Sequence, residues 1–545
     1  MTFGSTGLLP RGNETTTFSP SERPPENLNP DQFVTGSQPR SALERRTWWI
    51  LVTWIFIAAG MLRLFDLDLT PLHHDEGVNG LFLTNLVGPA HRYQYDPTNY
   101  HGPTLYYFAW LSAKLFGLTT VAIRFVPAFF GLVTVSLLLA LRRPLGDVGA
   151  IAAAALLAVS PGAVYLSRYF IHESLLVCFT LAAVVAVERF CQSGRPVFVI
   201  LAALSVGLMF ATKETAPIST GVLMLAAVGA WCVANYPTSR QPRVVLRHLL
   251  ERWRTAHAAL QSRCGGRGAL LWSMAAGFVT FLAIEILFYS SLFTHWSGLL
   301  DALKSFAFWA HTGTSAHVRS GLIYVSWLAQ EELPVLALGA FGAGLAWWRR
   351  DNRFALFTAL WGLGILAAYS IVPYKTPWLT LNMILPLAII AGYAVEVEYT
   401  TRPRARRQAL MPVVAMVLAV GVYQAVSLSF VHYDDERYPY VYAHTQRDVL
   451  RLIDTINRLA VRSPAPLTIA ITSPDHFPLS WYLRYYQTSF YGHVVPTEDP
   501  VVIGAERQAK ELTDNLGDRY TQVDSYALRP GVRLVIYVRR DLTKP

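Results

Sequence analysis

Residues 48–77 read WWILVTWIFIAAGMLRLFDLDLTPLHHDEG, an apolar run followed by two imidazoles and two carboxylates. The apolar part, about Trp48 to Leu64, has the length of a helix that crosses a bilayer. Ionisable side chains that stand where a chain leaves the membrane point to function. The stretch therefore predicts a membrane protein with a candidate site in its first outer loop, residues 66–119.

The remainder of the chain repeats the apolar pattern. Its 545 residues are 53% apolar and 15% charged, whereas soluble domains carry about 25% charged residues. Apolar segments of spanning length lie at 47–65, 120–141, 147–166, 174–191, 196–211, 216–234, 269–289, 322–346, 354–372, 378–396 and 409–430. We therefore predict an α-helical polytopic membrane domain over 45–430 with about eleven transmembrane helices.

The distribution of basic residues predicts the orientation. The net charge of +10 comes from Lys and Arg in short loops rather than on one soluble domain, so nucleic acid is not an expected partner. Arginines within 45–46, 142–143, 195, 240–267, 349–353 and 402–407 fall on one side of the predicted bilayer. The positive-inside rule makes that side cytoplasmic. We expect a multi-pass protein of the cell (plasma) membrane with a cytoplasmic N-terminus.

Two regions that precede or interrupt the spans have their own character. Residues 1–44 are rich in Ser, Thr, Pro and Asn and predict a disordered cytoplasmic tail. Within 66–119, Gly77–Val87 and Thr104–Phe116 predict helices that lie in the membrane interface. Counting the second as a span would move every later basic loop to the outside, which argues against it.

Residues 431–545 predict a small extracytoplasmic α/β domain. Apolar residues recur at helical spacing in Thr445–Leu459. The expected strands are Leu467–Thr472, Val501–Ile503, Gln522–Leu528 and Arg533–Arg539, with a further helix near Ala505–Leu516. The size is usual for a folded domain.

The predicted outer ends of the spans carry groups that suit one kind of chemistry. A carboxylate at Asp75 can accept a proton, and cations at Arg168, Lys213 and Lys375 can stabilise a phosphate at headgroup level. All four residues fall on the same side of the predicted bilayer as the C-terminal domain. Such a set suits group transfer from a lipid-linked phosphate.

Several of these residues also have a structural interpretation. Asp75 and Glu76 can cap the helix that begins near Gly77, because carboxylates favour helix N-termini. Lys213 and Lys375 can extend along apolar surface to the headgroups.

Two further alternatives concern ion pairing and metal binding. Arg168 and Glu173 can form a structural ion pair between two helix ends. A divalent metal is an alternative for the first outer loop, with the ligands His73, His74, Asp75 and His101. No HExxH spacing supports that site, and the four cysteines form no CxxC pair.

Four stretches of the chain resemble motifs of one superfamily. They are His73–Gly77, Tyr100–Tyr107 with Leu115–Gly117 and Arg124, Gly207–Lys213, and Tyr369–Trp378 with Leu385–Pro386. The chain resembles the GT-C superfamily of integral-membrane glycosyltransferases, which includes protein mannosyltransferases and aminoarabinose transferases of lipid A. It is most similar to a flippase-associated glycosyltransferase-like subgroup marked by HHDE, YHGP and YKTPW. Gly102 departs from the proline of the superfamily motif.

The resemblance implies a GT-C fold and an inverting, metal-independent glycosyltransferase without a cofactor. It would move a sugar from a polyprenyl-phosphate donor to a lipid, glycan or protein acceptor on the outer face, among membrane lipids. Asp75 would be the base, and Glu76 would orient the sugar or support the base. The phosphate would be bound by Arg168, Lys213 and Lys375. The loop 290–321 would cover a pocket lined by His73, His74, Tyr100, His101, Glu173, Tyr374 and Trp378.

Two other function classes remain open at this point. A non-catalytic partner or transporter for lipid-linked sugars would keep the cationic cavity but need no base. A scaffold that presents the C-terminal domain would need neither. The C-terminal domain lacks a WWD-type acceptor motif, so transfer to asparagine is not expected.

Overall fold

The structure, a computed structural model, describes residues 43–88, 93–237, 241–315 and 317–543. Nearly all of the predicted tail, 1–44, lies outside these ranges. The membrane part contains α1 Arg45–Leu64, α2 His74–Val87, α3 Thr104–Phe116, α4 Thr120–Ala140, α5 Arg142–Leu145, α6 Asp147–Val159, α7 Pro161–Ser167, α8 Glu173–Ser193, α9 Pro196–Phe210, α10 Ala216–Ala234, α11 Pro242–Arg263, α12 Arg267–Tyr289, α13 Gly298–Ser315, α14 Ile323–Glu331, α15 Leu333–Arg349, α16 Arg353–Ile371, α17 Leu381–Thr401 and α18 Arg404–Val426.

The helices make this a multi-pass membrane protein. In the described ranges eight helices are long and apolar enough to cross a membrane, or nine if α6 and α7, which meet at a 58° bend, form one span. The remaining predicted segments, 196–211 and 322–346, do not form single long helices. The first is the 15-residue α9.

The prediction of one span over 322–346 is wrong. That segment is divided into α14 and α15, and the break falls at Glu332, with Pro334 in the first turn of the second helix. Proline lacks an N–H and its ring clashes with the preceding turn, so it is favoured in the first turn of a helix and disfavoured in the interior.

Small residues allow the centre of the bundle to pack closely. Helix α6 has the sequence DVGAIAAAALLAV, and nearly all of it is buried. It packs against α17, which is also largely buried, whereas α12 and α18 leave most of their apolar surface exposed. Small side chains let helix backbones approach in a membrane, where water does not drive helices together. The exposed apolar helices are those that lipid would surround.

The loop between α1 and α4 contains two short helices, where interfacial helices were predicted. Helices α2 and α3 have 14 and 13 residues, which is too short to cross the hydrocarbon at 1.5 Å per residue. Gly102 and Thr104, just before α3, form backbone hydrogen bonds with Thr212 and Ala211 after α9. The loop is therefore fastened to the segment that follows α9.

The C-terminal domain confirms the α/β prediction. Its elements are α19 Asp448–Arg462, β1 Thr468–Ile471, α20 Leu479–Tyr482, β2 Gln487–Phe490, β3 Val501–Ala505, α21 Ala509–Leu516, β4 Tyr520–Arg529, β5 Val532–Arg539 and α22 Arg540–Thr543. The sheet has the order β2-β1-β3-β5-β4, with β2, β1 and β3 parallel and the β3–β5 and β5–β4 pairs antiparallel. Helices α19 and α21 cover opposite faces.

This domain packs directly on α2. The Leu72 N–H donates to the Tyr482 hydroxyl at 2.9 Å, and the Ser480 hydroxyl donates to the Gly77 carbonyl at 3.4 Å. A Cβ atom at Gly77 would stand 2.6 Å from Pro478 Cα, so only glycine allows this approach. Helix α2 therefore lies between the C-terminal domain and the membrane helices.

Candidate active site

His73 and Asp75 form the N-terminus of α2. The His73 ring accepts the Asp75 N–H at Nδ1, 3.1 Å away, and its Nε2 lies 2.9 Å from the Tyr442 carbonyl oxygen. Because Nδ1 is an acceptor, the ring proton lies on Nε2 and is donated to Tyr442. His73 is buried and stacks on Tyr169. Both ring nitrogens therefore serve to fix the backbone that carries Asp75.

Glu76 is held in a buried ion pair with Arg124. Its carboxylate accepts from Arg124 Nε at 2.8 Å and Nη2 at 2.6 Å, and from the N–H groups of His73 and Phe170, both at 2.8 Å. The remaining Arg124 donors bond carbonyl oxygens of the loop before α2. Glu76 is 0% exposed, which favours the second of its two predicted roles, support of the base, over orientation of the sugar. Through its bond to the His73 N–H, Glu76 helps to hold the turn that carries Asp75.

The environment of the Asp75 carboxylate differs from that of the buried Glu76 carboxylate. It is partly exposed, and no described residue gives it a hydrogen bond or an ion pair. His74, Tyr100, His317 and Tyr374 lie near enough to interact with its charge. Burial raises the pKa of Tyr100 to about 12, and burial with the nearby Tyr100 and Asp75 raises the pKa of Tyr374 well above its usual value. Both phenols stay protonated, and the carboxylate is available to accept a proton.

A small cavity of about 10 Å³ lies beside Tyr374, one of the residues that are near the Asp75 carboxylate. Its wall contains His101, Lys213, Glu214, Thr215, Trp309, Tyr369, Val372, Tyr374 and Leu379. Space of this size holds one water-sized molecule. The cavity is therefore closed to a sugar phosphate in this conformation.

An ion pair and a hydrogen bond organise the cavity wall. The Lys213 ammonium bonds the Glu173 carboxylate, and His101 Nδ1 lies 2.8 Å from Glu214 Oε2. Burial opposes the charge on Glu214, but His101 and Lys213 outweigh it and hold the pKa of that carboxyl below its usual value. Burial also opposes the charge on Lys213, and Glu173 and Glu214 reverse the effect and raise its pKa. The wall therefore keeps the Lys213 ammonium and the Glu214 carboxylate charged.

Gly102 stands where two chain segments touch. Its N–H donates to the Thr212 carbonyl at 3.0 Å, a bond that a proline at this position could not make. A Cβ atom here would stand 2.1 Å from the Ala211 oxygen. This contact explains the departure from the proline of the resembling motif, and it fixes His101 next to Glu214.

We expect Gly102→Ala to lower the free energy of unfolding by about 1–3 kcal/mol, because the added methyl group forces the two backbones apart. Thermal unfolding of the purified protein measures the loss. Gly60→Ala is the matched control, since a Cβ atom at Gly60 would meet nothing within 4 Å. Equal melting temperatures for the two variants would show that the two segments are not in contact.

Arg168, predicted to bind phosphate, has its guanidinium engaged with backbone carbonyls in this structure, and its phosphate-binding role stays a prediction. Its guanidinium donates to the carbonyl oxygens of Leu62, Phe65 and Asp66 at 3.3, 2.7 and 2.7 Å, and it lies over the Phe430 ring. The last carbonyls of a helix have no partner within the helix. Arg168 therefore caps the C-terminal end of α1. The alternative prediction of an ion pair between Arg168 and Glu173 is wrong, since the Glu173 carboxylate bonds Lys213.

Lys375 caps a helix in the same way. Its ammonium donates to the carbonyl oxygens of Tyr369 at 2.9 Å, Ser370 at 3.1 Å and Val372. These acceptors end α16, and the side chain is 1% exposed. The phosphate contact of Lys375 likewise stays a prediction, since its ammonium is engaged with backbone carbonyls here. Of the three predicted cations, Lys213 is the one that lines the cavity.

Three other predicted wall residues, His74, Tyr100 and Trp378, lie around the cavity rather than in its wall. His74 Nδ1 accepts from Arg529 Nη1 at 3.0 Å, and burial lowers its pKa to about 4. Tyr100 lies edge-on to His101, and Trp378 lies edge-on to His73. His101 and Tyr374 are in the wall as predicted. Within the described chain, no three His, Cys, Asp or Glu side chains come together as metal ligands.

Several site residues were not predicted from the sequence. Arg124 was noted in a motif without a role, although a lone arginine inside an apolar run is itself a signal. Glu214 follows Lys213 directly, and two adjacent charges at a span end carry the same signal. Trp309 belongs to the loop 290–321, which was predicted to cover the pocket, and it does line the cavity. His317 from the same loop bonds the Tyr442 hydroxyl at 2.8 Å.

The sequence and the fold of this chain were compared with those of known proteins. A family model for dolichyl-phosphate-mannose-protein mannosyltransferase matches residues 100–250, the range that contains His101 and Lys213. No curated protein sequence matches the chain.

Three solved structures are similar to this chain over most of its length. ArnT from Cupriavidus metallidurans in the apo state is 16% identical, with a TM-score of 0.66, over 92% of this chain and 100% of ArnT. The same protein bound to undecaprenyl phosphate is 17% identical, with a TM-score of 0.64 and the same coverage. The Archaeoglobus fulgidus oligosaccharyltransferase tethered with an acceptor peptide is 13% identical, with a TM-score of 0.52, over 89% of this chain and 70% of that one. The chain therefore has the fold of GT-C glycosyltransferases.

Proposed function

We propose that the protein is a membrane glycosyltransferase that moves a sugar from a polyprenyl-phosphate-linked donor to a lipid, glycan or protein acceptor. The observation that carries the proposal is the Asp75 carboxylate, unpaired within the described chain and fixed by a buried network beside a charged cavity. The complex of ArnT with undecaprenyl phosphate, a protein of the same fold, supports a lipid-phosphate donor.

Asp75 is the base in this proposal. It accepts the proton of the acceptor nucleophile as the bond to the anomeric carbon forms. The bond from that carbon to the lipid phosphate breaks in the same displacement, which inverts the configuration of the sugar. Lys213 and His101 are the cavity groups that can neutralise the departing phosphate. The basic loops at the opposite helix ends favour the outer face of the membrane for this reaction.

Donor binding requires the cavity to open. Trp309 of α13 and Tyr374 form part of its wall, and Val318 and Tyr374 join through an isolated antiparallel bridge. The Lys375 N–H also donates to the His317 carbonyl at 3.1 Å. We infer that α13 and the segment 317–320 move away from Tyr374 when a sugar phosphate enters, and close again around it.

The test is a transfer assay with the purified full-length protein. A panel of radiolabelled polyprenyl-phosphate sugars is incubated with an envelope extract, and the label is followed into lipid, glycan and protein fractions. We expect label to move from at least one donor, in proportion to the amount of enzyme, and not with boiled enzyme. Donor binding without transfer from any donor would contradict the proposal and favour a non-catalytic partner or transporter of lipid-linked sugars.

A further inference from the structure

A second and larger opening lies between the membrane part and the C-terminal domain. This groove has a volume of about 500 Å³ and is lined by Arg319, Trp327, Glu436, Arg437, Tyr438, Pro439, Val441, Tyr442, Ala443, Arg529 and Pro530. These residues come from the segment before α14, from α14, from the connection 434–443 and from the β4–β5 turn. Binding sites for small ligands have volumes of about 300–1,000 Å³, so the groove has the size of a ligand site.

Arg319 gives the groove a fixed positive charge. Its guanidinium lies 5.1 Å from the Tyr442 ring centre and 5.8 Å from that of Trp327. No carboxylate of the described ranges is within ion-pair distance of it, and the residue is exposed. Arginine stacked on aromatic rings keeps its planar donors free for a carboxylate or a phosphate.

The other arginines of the groove are held by aspartates. Arg437 bonds Asp435, and Arg529 bonds Asp475. Asp475 is shared, because Arg507 also lies 3.1 Å from it. The wall of the groove itself holds three guanidinium groups and one carboxylate, that of Glu436, and Arg319 is the guanidinium without a carboxylate partner among the described residues.

The groove adjoins the residues that surround Asp75. Arg529 donates to His74, the residue before Asp75, at 3.0 Å. The Tyr442 carbonyl accepts from His73 at 2.9 Å, and the Tyr442 hydroxyl bonds His317 at 2.8 Å. A molecule that lies along the groove thus ends against the side chains that hold and flank the proposed base.

We propose that this groove binds the acceptor, and that the acceptor is an acidic saccharide chain bearing a carboxylate or phosphate group. The partly exposed rings of Tyr438 and Tyr442 offer apolar faces to sugar rings, and Arg319 offers paired donors to the acidic group. The assignment as acceptor rests on the proposed glycosyltransferase function. Binding of an acidic saccharide in the groove does not depend on transfer.

Calorimetric binding to the purified full-length protein tests this proposal. The probes are tetragalacturonate for carboxylates, mannose 6-phosphate for phosphate, and neutral maltotetraose. We expect at least one acidic probe to bind about tenfold or more tighter than maltotetraose, and Arg319→Gln to weaken it by about tenfold or more, since the variant loses hydrogen bonds to a charged group. The acidic probe that binds tighter identifies the acidic group.

Arg462→Gln is the matched control, because Arg462 is an exposed arginine at the end of α19 and does not line the groove. Equal weakening in both variants would mean unspecific charge attraction and overturn the proposal. So would equal binding of maltotetraose, or tighter binding of tetraglutamate, which would favour a peptide. Asp75→Asn should keep the affinity for the acidic probe. A failed transfer assay with intact, Arg319-dependent binding would therefore count against the glycosyltransferase and not against the groove.

Discussion

We expect Asp75→Asn to lower the rate of sugar transfer by about 10²–10⁴-fold, the usual contribution of a positioned general base. Asparagine has the shape of aspartate but does not accept a proton at neutral pH. The carboxylate forms no ion pair with any described residue, so its loss removes little stability. The change in charge at the N-terminus of α2 costs about 0.3–1 kcal/mol. The variant should therefore fold and bind donor.

Initial rates at saturating donor, together with the melting temperature, measure this effect. Asp68→Asn is the matched control, since Asp68 is an exposed carboxylate in the segment that leads into α2. A rate for Asp75→Asn within a few-fold of that for Asp68→Asn would exclude Asp75 as the base. Loss of rate with a large drop in melting temperature would instead indicate a structural role.

The second large effect is on stability. We expect Arg124→Met to lower the free energy of unfolding by about 3–5 kcal/mol, the usual result of breaking a buried ion pair from one side. Both side chains are 0% exposed. The variant leaves the Glu76 carboxylate buried with two backbone donors and no counter-charge, and it leaves three loop carbonyls without their donors.

Unfolding of the purified variants measures this loss against Arg247→Met, which breaks the exposed Arg247–Glu251 pair. The control should change stability by about 0.5 kcal/mol or less. Adding Glu76→Gln to Arg124→Met should recover part of the stability, because no charge is then left unpaired. If Arg124→Met and the control have the same melting temperature, the buried pair does not support the loop.

Much of the fold could be predicted because it depends on local patterns in the sequence. Apolar length predicted the long spans, and helical spacing in 445–459 predicted α19. The break of 322–346 was also readable, since Glu331, Glu332 and Pro334 interrupt the apolar run. Strand β2 was missed because most of its side chains are exposed, so no burial pattern marks its sequence.

The site could be predicted only in part. Asp75 and Lys213 were grouped from their shared side of the bilayer, but Arg168 and Lys375 carry the same signal and turn out to cap helices. Their acceptors are backbone carbonyls, which every residue has, so the sequence holds no mark of them. The partner of Glu76 lies 48 positions along the chain, a distance that only the tertiary structure bridges.

The close packing of the C-terminal domain on α2 limits how such proteins can be recombined. Tyr442, Tyr482 and Arg529 hold the turn that carries Asp75, and Gly77 admits Pro478 because it has no side chain. A chimaera that joins this membrane part to the terminal domain of a distant relative would lose the contacts that position Asp75, unless residues 72–80 were transplanted with the new partner. An exchange of C-terminal domains between such proteins should therefore succeed only when residues 72–80 are transferred together with the domain.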